Sequence, residues 1–483
     1  MRSIRIVAFA ALIALLGSAP AQAQPADAGA TVLQTLFTAK AVDPSLLDPA
    51  FAGSVPVASL QSALDDYRSR LGPLGSVAKS GSDYALTFAR GALLATLTLD
   101  SAGKVSGLLL HDETSTAIRQ ALERFFTSKS ADSDWFAPAF LAVIPIDQIH
   151  ALVGQIVAQE GAYERVELRG GAFYAVFEKV ENHATAALDD RGRFTALRLF
   201  PPVARTSNLD DALTRLAQPG TDLSYLVRTN DTDLAAAGAD RPMAVGSAFK
   251  LVILAALRAE IQAGKHAWSD VVPLPASAKS LPSGAFQNWP DGLPVTLATY
   301  AAQMISLSDN TAADVLAGVV GRAALEALAP RNTPFLTTRE MFALKTKDAA
   351  LRAAYRAGAL PARRALLATI DARPAPDVSQ LELLPAYLDI EWYLSARELC
   401  ALMDRVADLD LMTINPGIPS AGWKRIAYKG GSDAGVLNFT SHVTGANGAS
   451  FCVTATWNDR TKSPDENAAI AAFGAVLQQL ARR

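Results

Sequence analysis

A chain of 483 residues, half of them hydrophobic and 19% charged, exceeds what one hydrophobic core usually organises, so two or three globular domains are expected. The net charge of −3 excludes recruitment of nucleic acid or of an anionic membrane surface by bulk electrostatics. The five histidines, His111, His150, His183, His266 and His442, lack ligand-like spacing, so neither a metal nor a cofactor is expected.

The chain opens on a targeting signal: Arg2 and Arg5, an apolar run from Val7 to Leu16, and the small-residue site Ala21-Gln22-Ala23. Residues 1–23 therefore read as a removable signal peptide, with a periplasmic or secreted destination. The run is too short to span a bilayer, and no later stretch reaches ~18 uninterrupted apolar residues, so the mature chain is expected to lack a transmembrane segment.

An internal duplication follows, seen at a constant shift of 89, as in 126 − 37. The shift pairs Phe37 with Phe126, Lys40 with Lys129, Pro49-Ala50-Phe51 with Pro138-Ala139-Phe140, Gly72 with Gly161, Phe88 with Phe177, Asp100 with Asp189 and Gly103 with Gly192. In the first copy the periodicity predicts helices over Val32 to Thr38 and Val57 to Leu71, then strands over Tyr84 to Phe88, Leu93 to Leu99 and Val105 to Leu110. This order resembles small cystatin-like or nuclear-transport-factor-like α+β domains, which implies a structural, positioning or ligand-holding role for copies at 24–112 and 113–203.

The polar segment Pro202 to Ser207 marks a boundary, and a third domain is expected over 208–483. A strand is predicted at Leu223 to Val227, a helix-rich middle from Ser247 to about Val406, and two strands at Leu437 to Val443 and Phe451 to Trp457 joined by the turn Gly445 to Gly448. A last helix runs from about Pro464 to Leu480. Cys400 falls in a helical pattern and Cys452 in a strand pattern; they read as two separately buried thiols, with a disulfide left possible.

Three segments in this third domain can carry chemistry. Ser247-Ala248-Phe249-Lys250 precedes Leu251 to Leu257, apolar on every side and so a buried helix. Residues three apart share a helix face, and a lysine can take a serine proton once burial or a neighbouring cation makes its ammonium unfavourable. Ser76 to Lys79 and Ser101 to Lys104 repeat the spacing with no apolar helix behind them. Ser308-Asp309-Asn310 lies between two helical patterns, where these residue types also serve simply as caps. Lys429-Gly430-Gly431-Ser432 precedes the strand pair and reads either as a glycine-rich turn or as a place where backbone meets a ligand.

In that order and setting the segments resemble the class A β-lactamase and penicillin-binding-protein superfamily, with its elements S-x-x-K, S-D-N and K-T-G; 61 residues separate the first two serines (308 − 247). The resemblance implies an α+β fold for 208–483, an antiparallel sheet with terminal helices packed beside a helical lobe. It further implies Ser247 as acylated nucleophile, Lys250 as base, Ser308 as proton relay, Asn310 as contact to substrate and lysine, and Lys429 as anchor for a substrate carboxylate. Backbone N–H groups of Ser247 and Ser432, the latter after Gly431, would form the oxyanion site.

Two departures stand out. K-G-G lacks the hydroxyl that would assist carboxylate binding at Gly430, and no glutamate between the second and third elements is followed four residues later by asparagine; Glu382 and Glu391 lie nearest the expected place. The arginines Arg352, Arg356, Arg363 and Arg364 in that interval read first as a solvated helix face, otherwise as an insertion that remodels the pocket. The expected activity is hydrolysis of a β-lactam or related cyclic amide, with a D-alanyl peptidase or esterase on cell-wall peptide or small esters as one alternative and a ligand-binding protein with an inactive lobe as another. The partner is thus a small-molecule substrate, and the oligomeric state is left open.

Overall fold

The computed structural model describes residues 27–483 apart from 81–82, 90, 111–112, 129, 170–171, 219, 231 and 419–421. The signal segment at 1–23 and His111 lie outside the described residues. Two compact units emerge: one of the described residues through Ser128 with Arg165–Gly171 and Ala187–Phe194, the other of Lys129–Glu164, Ala172–Ala186 and Thr195–Arg483.

In the first unit, helices Ala28–Thr38 and Val57–Leu71 and an antiparallel meander of Leu74–Ser80, Asp83–Phe88, Gly91–Leu99 and Val105–Leu110 share one core, in which Leu33, Phe37, Leu64, Leu86 and Leu93 are buried. The strand Leu74–Ser80 is absent from the sequence reading because its glycine and serines blur the alternation. It disposes of the decoy Ser76 to Lys79: three residues apart on a strand, the two side chains point to opposite faces.

The helix and strand boundaries recur at the same offset, Ile146–Glu160 standing 89 residues after Val57–Leu71 (146 − 57), followed by strands Tyr163–Arg169, Ala172–Phe177, Val180–Leu188 and Phe194–Leu199. The turns match in chemistry too. Asp100 Oδ1 accepts from the N–H groups of Ala102 and Lys104, as Asp189 Oδ1 accepts from those of Arg191 and Arg193, and each turn carries a positive-φ glycine, Gly103 or Gly192.

From residue 207 onward the second unit holds a five-stranded antiparallel sheet. Its strands, β1 (Asp222–Thr229), β2 (Thr232–Ala237), β3 (Arg425–Asp433), β4 (Val436–Thr444) and β5 (Ser450–Asn458), lie in the order β2-β1-β5-β4-β3. Lys429-Gly430-Gly431-Ser432 is thus part of an edge strand rather than a turn before the strands. Pairing of Gly430 with Phe439 and Gly431 with Asn438 holds the glycines extended despite their weak strand preference. On one face Phe439 packs edge-on against Trp457 and against Phe473 of the C-terminal helix Glu466–Ala481, capped by Asp465 with Pro464 just outside. On the other lies the helical lobe, whose core is the helix Lys250–Gln262, fully buried from Lys250 to Leu257.

Two expectations are corrected here. Cys400, on the helix Ala396–Asp404, and Cys452, on β5, form a disulfide rather than two separate thiols, tying the lobe to the sheet. The arginine-rich interval departs from a plain solvated face at Arg352, which is buried and donates to Glu382, whereas the exposed Arg356 and Arg364 pair with Asp389 and with Glu326 of the helix Arg322–Leu328. Closing 52 residues should stabilise the fold by up to about 4 kcal/mol through the entropy of the unfolded chain. Replacing both cysteines by alanine is expected to lower unfolding free energy by about 2–4 kcal/mol, read as a lower urea midpoint.

Candidate active site

Ser247 sits in a 3-10 turn, Gly246–Phe249, that feeds directly into the helix beginning at Lys250. The turn is pinned from below. Asn458 grips both backbone groups of Ala244, Val245 N–H donates to Trp392 O, and the Phe249 ring stacks on Trp392 with centroids 3.7 Å apart.

Lys250 is 0% exposed, and its surroundings decide its chemistry. Its Nζ lies 2.6 Å from the backbone oxygen of Ser308, 2.6 Å from Asn310 Oδ1, 3.1 Å from Ser308 Oγ and 3.2 Å from Ser247 Oγ. The first two partners can only accept. An uncharged amine therefore spends its two protons on them and leaves its lone pair for a hydroxyl. Burial, reinforced by the Lys429 charge and only partly opposed by Asp314 and Asp309, holds the Lys250 pKa well below the ordinary lysine value.

Ser308 is held in the left-handed region, φ +56°, which costs a non-glycine residue of order 1 kcal/mol or more. The loop offsets that with hydrogen bonds: Ser283 Oγ and Lys250 both donate to Ser308 O, Asp309 N–H donates to Gln303 O, and Asp309 Oδ2 accepts from Ala285 and Phe286 N–H. Asp309 also caps the helix Asn310–Val320 through Ala312 N–H, so the capping role weighed for this triplet and the alignment of Ser308 coexist. Asn310 Nδ2 donates to Leu281 O, which fixes its Oδ1 toward Lys250.

Lys429 comes from β3, 3% exposed, donating to Ser308 Oγ at 3.0 Å and to Gly430 O at 2.6 Å; burial pulls its pKa down to about 7. Ser308 Oγ therefore bridges the two lysines. Gly431 is dictated by space: a Cβ there would fall 2.0 Å from Val245 O, 2.6 Å from Ala248 N and 2.8 Å from Ser247 N. Reciprocally, a Cβ on Gly246, φ +50°, would fall 2.9 Å from Ser432 N. This close approach sets the Ser247 and Ser432 amides beside each other at the cleft edge.

All seven residues singled out from the sequence, Ser247, Lys250, Ser308, Asn310, Lys429, Gly431 and Ser432, thus meet in one place. Glu382 and Glu391 do not join them. Glu382 takes Arg352 and Tyr387, and Glu391 takes Lys345, which also holds Asp433 at the end of β3. Among the described residues no carboxylate hydrogen-bonds Lys250, and no group of three or more potential ligands could hold a metal ion. Residues missed by sequence reasoning are Ser283 and the buried Asp314, whose carboxylate accepts from Thr338 and Arg339 N–H and whose pKa burial lifts to about 7. Neither has a motif of its own; Asp314 stands close after the S-D-N triplet in sequence, whereas Ser283 is brought to it only by the fold.

A family model described as Beta-lactamase enzyme family matches residues 207–480. No curated protein matches the chain. Solved structures similar to it include a β-lactamase from Sphaerobacter thermophilus, 18% identical over 56% of this chain and 96% of that one at a TM-score of 0.40. Others are a β-lactamase from Desulfarculus baarsii, 19% identical over 57% and 99% at 0.41, and a point mutant of PBP-A as its acyl-enzyme complex with penicillin G, 17% identical over 56% and 93% at 0.38.

Gly431→Ala tests the close approach. It is expected to push β3 off the nucleophile turn and cut Ser247 acylation by roughly 10²–10³-fold, the usual loss when an oxyanion donor is displaced. Reaction with an active ester by stopped flow, beside a thermal melt to confirm folding, checks it.

Proposed function

The chain belongs to the Beta-lactamase enzyme family, and from that premise we propose a serine hydrolase that opens a β-lactam or related cyclic amide through an acyl-enzyme on Ser247. One observation carries the reading: a fully buried Lys250 amine with two oxygen acceptors already satisfied and Ser247 Oγ at 3.2 Å.

As Ser247 Oγ bonds to the carbonyl carbon, its proton passes to Lys250 Nζ, and the oxygen's new charge is met by the N–H groups of Ser247 and Ser432. The amide C–N bond then breaks while Ser308 Oγ gives its proton to the leaving nitrogen and regains one from Lys250, 3.1 Å away. Lys429 favours a substrate carboxylate and, by its charge, the neutral form of Lys250. Asn310 holds the lysine and contacts substrate.

Release of the acyl group by water is the slower half, because no carboxylate stands against Lys250 among the described residues. That same observation favours a second reading, a D-alanyl peptidase or esterase whose acyl-enzyme leaves without such a base. Export to the periplasm or beyond is supported by the Cys400–Cys452 disulfide, a bond rare in reducing compartments, and no helix among the described residues is long and apolar enough to cross a membrane. The N-terminal copies, read as tandem cystatin-like repeats, would position the hydrolase.

Incubation with a fluorescent penicillin followed by intact-mass measurement tests the proposal. A single adduct on Ser247 that decays slowly is expected, and Ser247→Ala should abolish it, with turnover of any ester falling roughly 10⁴-fold or more. Undiminished labelling of the alanine variant would overturn the assignment; ester turnover that needs Ser247, without a penicillin adduct, would select the esterase.

A further inference from the structure

The third element of this chain has lost its hydroxyl in sequence, yet a hydroxyl stands in its place. Residues 428 and 430 lie on the same face of β3, two apart. A Cβ built on Gly430 would fall 2.3 Å from Tyr428 Oη and 3.0 Å from Tyr428 Cζ, so the phenol occupies the volume that a threonine or serine side chain would fill. A second glycine shapes the slot from outside the strand: a Cβ on Gly417 would fall 2.4 Å from Tyr428 Cε1 and 3.0 Å from Cδ1. The two glycines and the tyrosine form one unit, in which any side chain at 417 or 430 would evict the ring.

The hydroxyl is free to act. A tyrosine O–H packed this closely usually has a hydrogen-bond partner, but Tyr428 Oη has none among the described residues, and the residue keeps partial solvent access at the strand edge. Burial raises its pKa above the ordinary tyrosine value, so the group is a donor at neutral pH. Lys429, next on the strand, points to the opposite face, toward Ser308, and Gly430, over which the phenol lies, is followed by Gly431 against the Ser247 turn.

We propose that Tyr428 is a specificity-determining residue whose hydroxyl donates a hydrogen bond to the carboxylate of the substrate, replacing the hydroxyl absent at Gly430. The K-G-G sequence is then a relocation of the donor, not a loss of carboxylate recognition, and the preferred substrates are anionic acyl donors bearing a carboxylate next to the scissile amide. This inference rests on the reading of Ser247 as acyl acceptor, and its test separates the two.

Acylation of the full chain is measured by intact mass with benzylpenicillin and with its methyl ester, which keeps the ring and removes the charge. Tyr428→Phe is expected to slow acylation by benzylpenicillin about tenfold, as loss of a hydrogen bond to a charged group does, with the loss in KM and the methyl ester unaffected. The double variant Tyr428→Ala with Gly430→Thr vacates the slot and returns a hydroxyl from the strand itself, and is expected to recover the preference for the free acid. If the wild type is labelled by both forms and Tyr428→Phe changes both equally or neither, this inference alone is overturned. If the wild type is labelled by neither, the β-lactam reading of Ser247 falls and takes this one with it.

Discussion

A lysine amine without exposed surface and, among the described residues, without a carboxylate partner is the constraint on which the catalytic half of this protein turns. Charge at Lys250 Nζ would stand against burial and against Lys429 in a medium that screens poorly. The surrounding groups fit an uncharged amine. Two oxygens take its protons, one from a serine held at positive φ and one from an amide side chain whose other end is tied to the backbone. The strained Ser308 backbone thus has a clear use: it turns a carbonyl toward Lys250 while its hydroxyl faces both Lys250 and Lys429.

A second constraint joins the lobe to the sheet. Gly246 and Gly431 let the nucleophile turn and β3 come within a distance that no Cβ on either would allow. From that contact follow the neighbouring amides of Ser247 and Ser432 and the reach of Lys429 to Ser308. The Cys400–Cys452 bond and the Phe249–Trp392 stack brace the same junction, the first joining helix to strand, the second holding the turn from behind.

How far these features were legible in the sequence depends on whether each was local. Ser247 and Lys250 stood out because the all-apolar run after them announced a buried helix, which the decoys at Ser76 and Ser101 lack. The order of the three elements then suggested one cleft. What required contacts distant in sequence stayed hidden: the pairing of cysteines 52 residues apart, the burial of Arg352 against Glu382, and the ladder that makes a strand of Lys429-Gly430-Gly431-Ser432. Tyr428 left one faint trace, an aromatic residue two positions before a glycine where a hydroxyl was due. The weakly alternating Leu74–Ser80 was missed because its strand character comes from its partner Asp83–Phe88 rather than from its own residues.

The most direct test of the central claim is the protonation state of Lys250 itself. Heteronuclear NMR titration of the lysine side-chain nitrogens, with the Lys250 signal assigned by its disappearance in Lys250→Arg, reads that state without reference to any substrate. The account predicts a Lys250 that titrates far below the surface lysines and moves upward when Lys429 is replaced by methionine. A Lys250 that titrates with the surface lysines, near ~10.4, would contradict it.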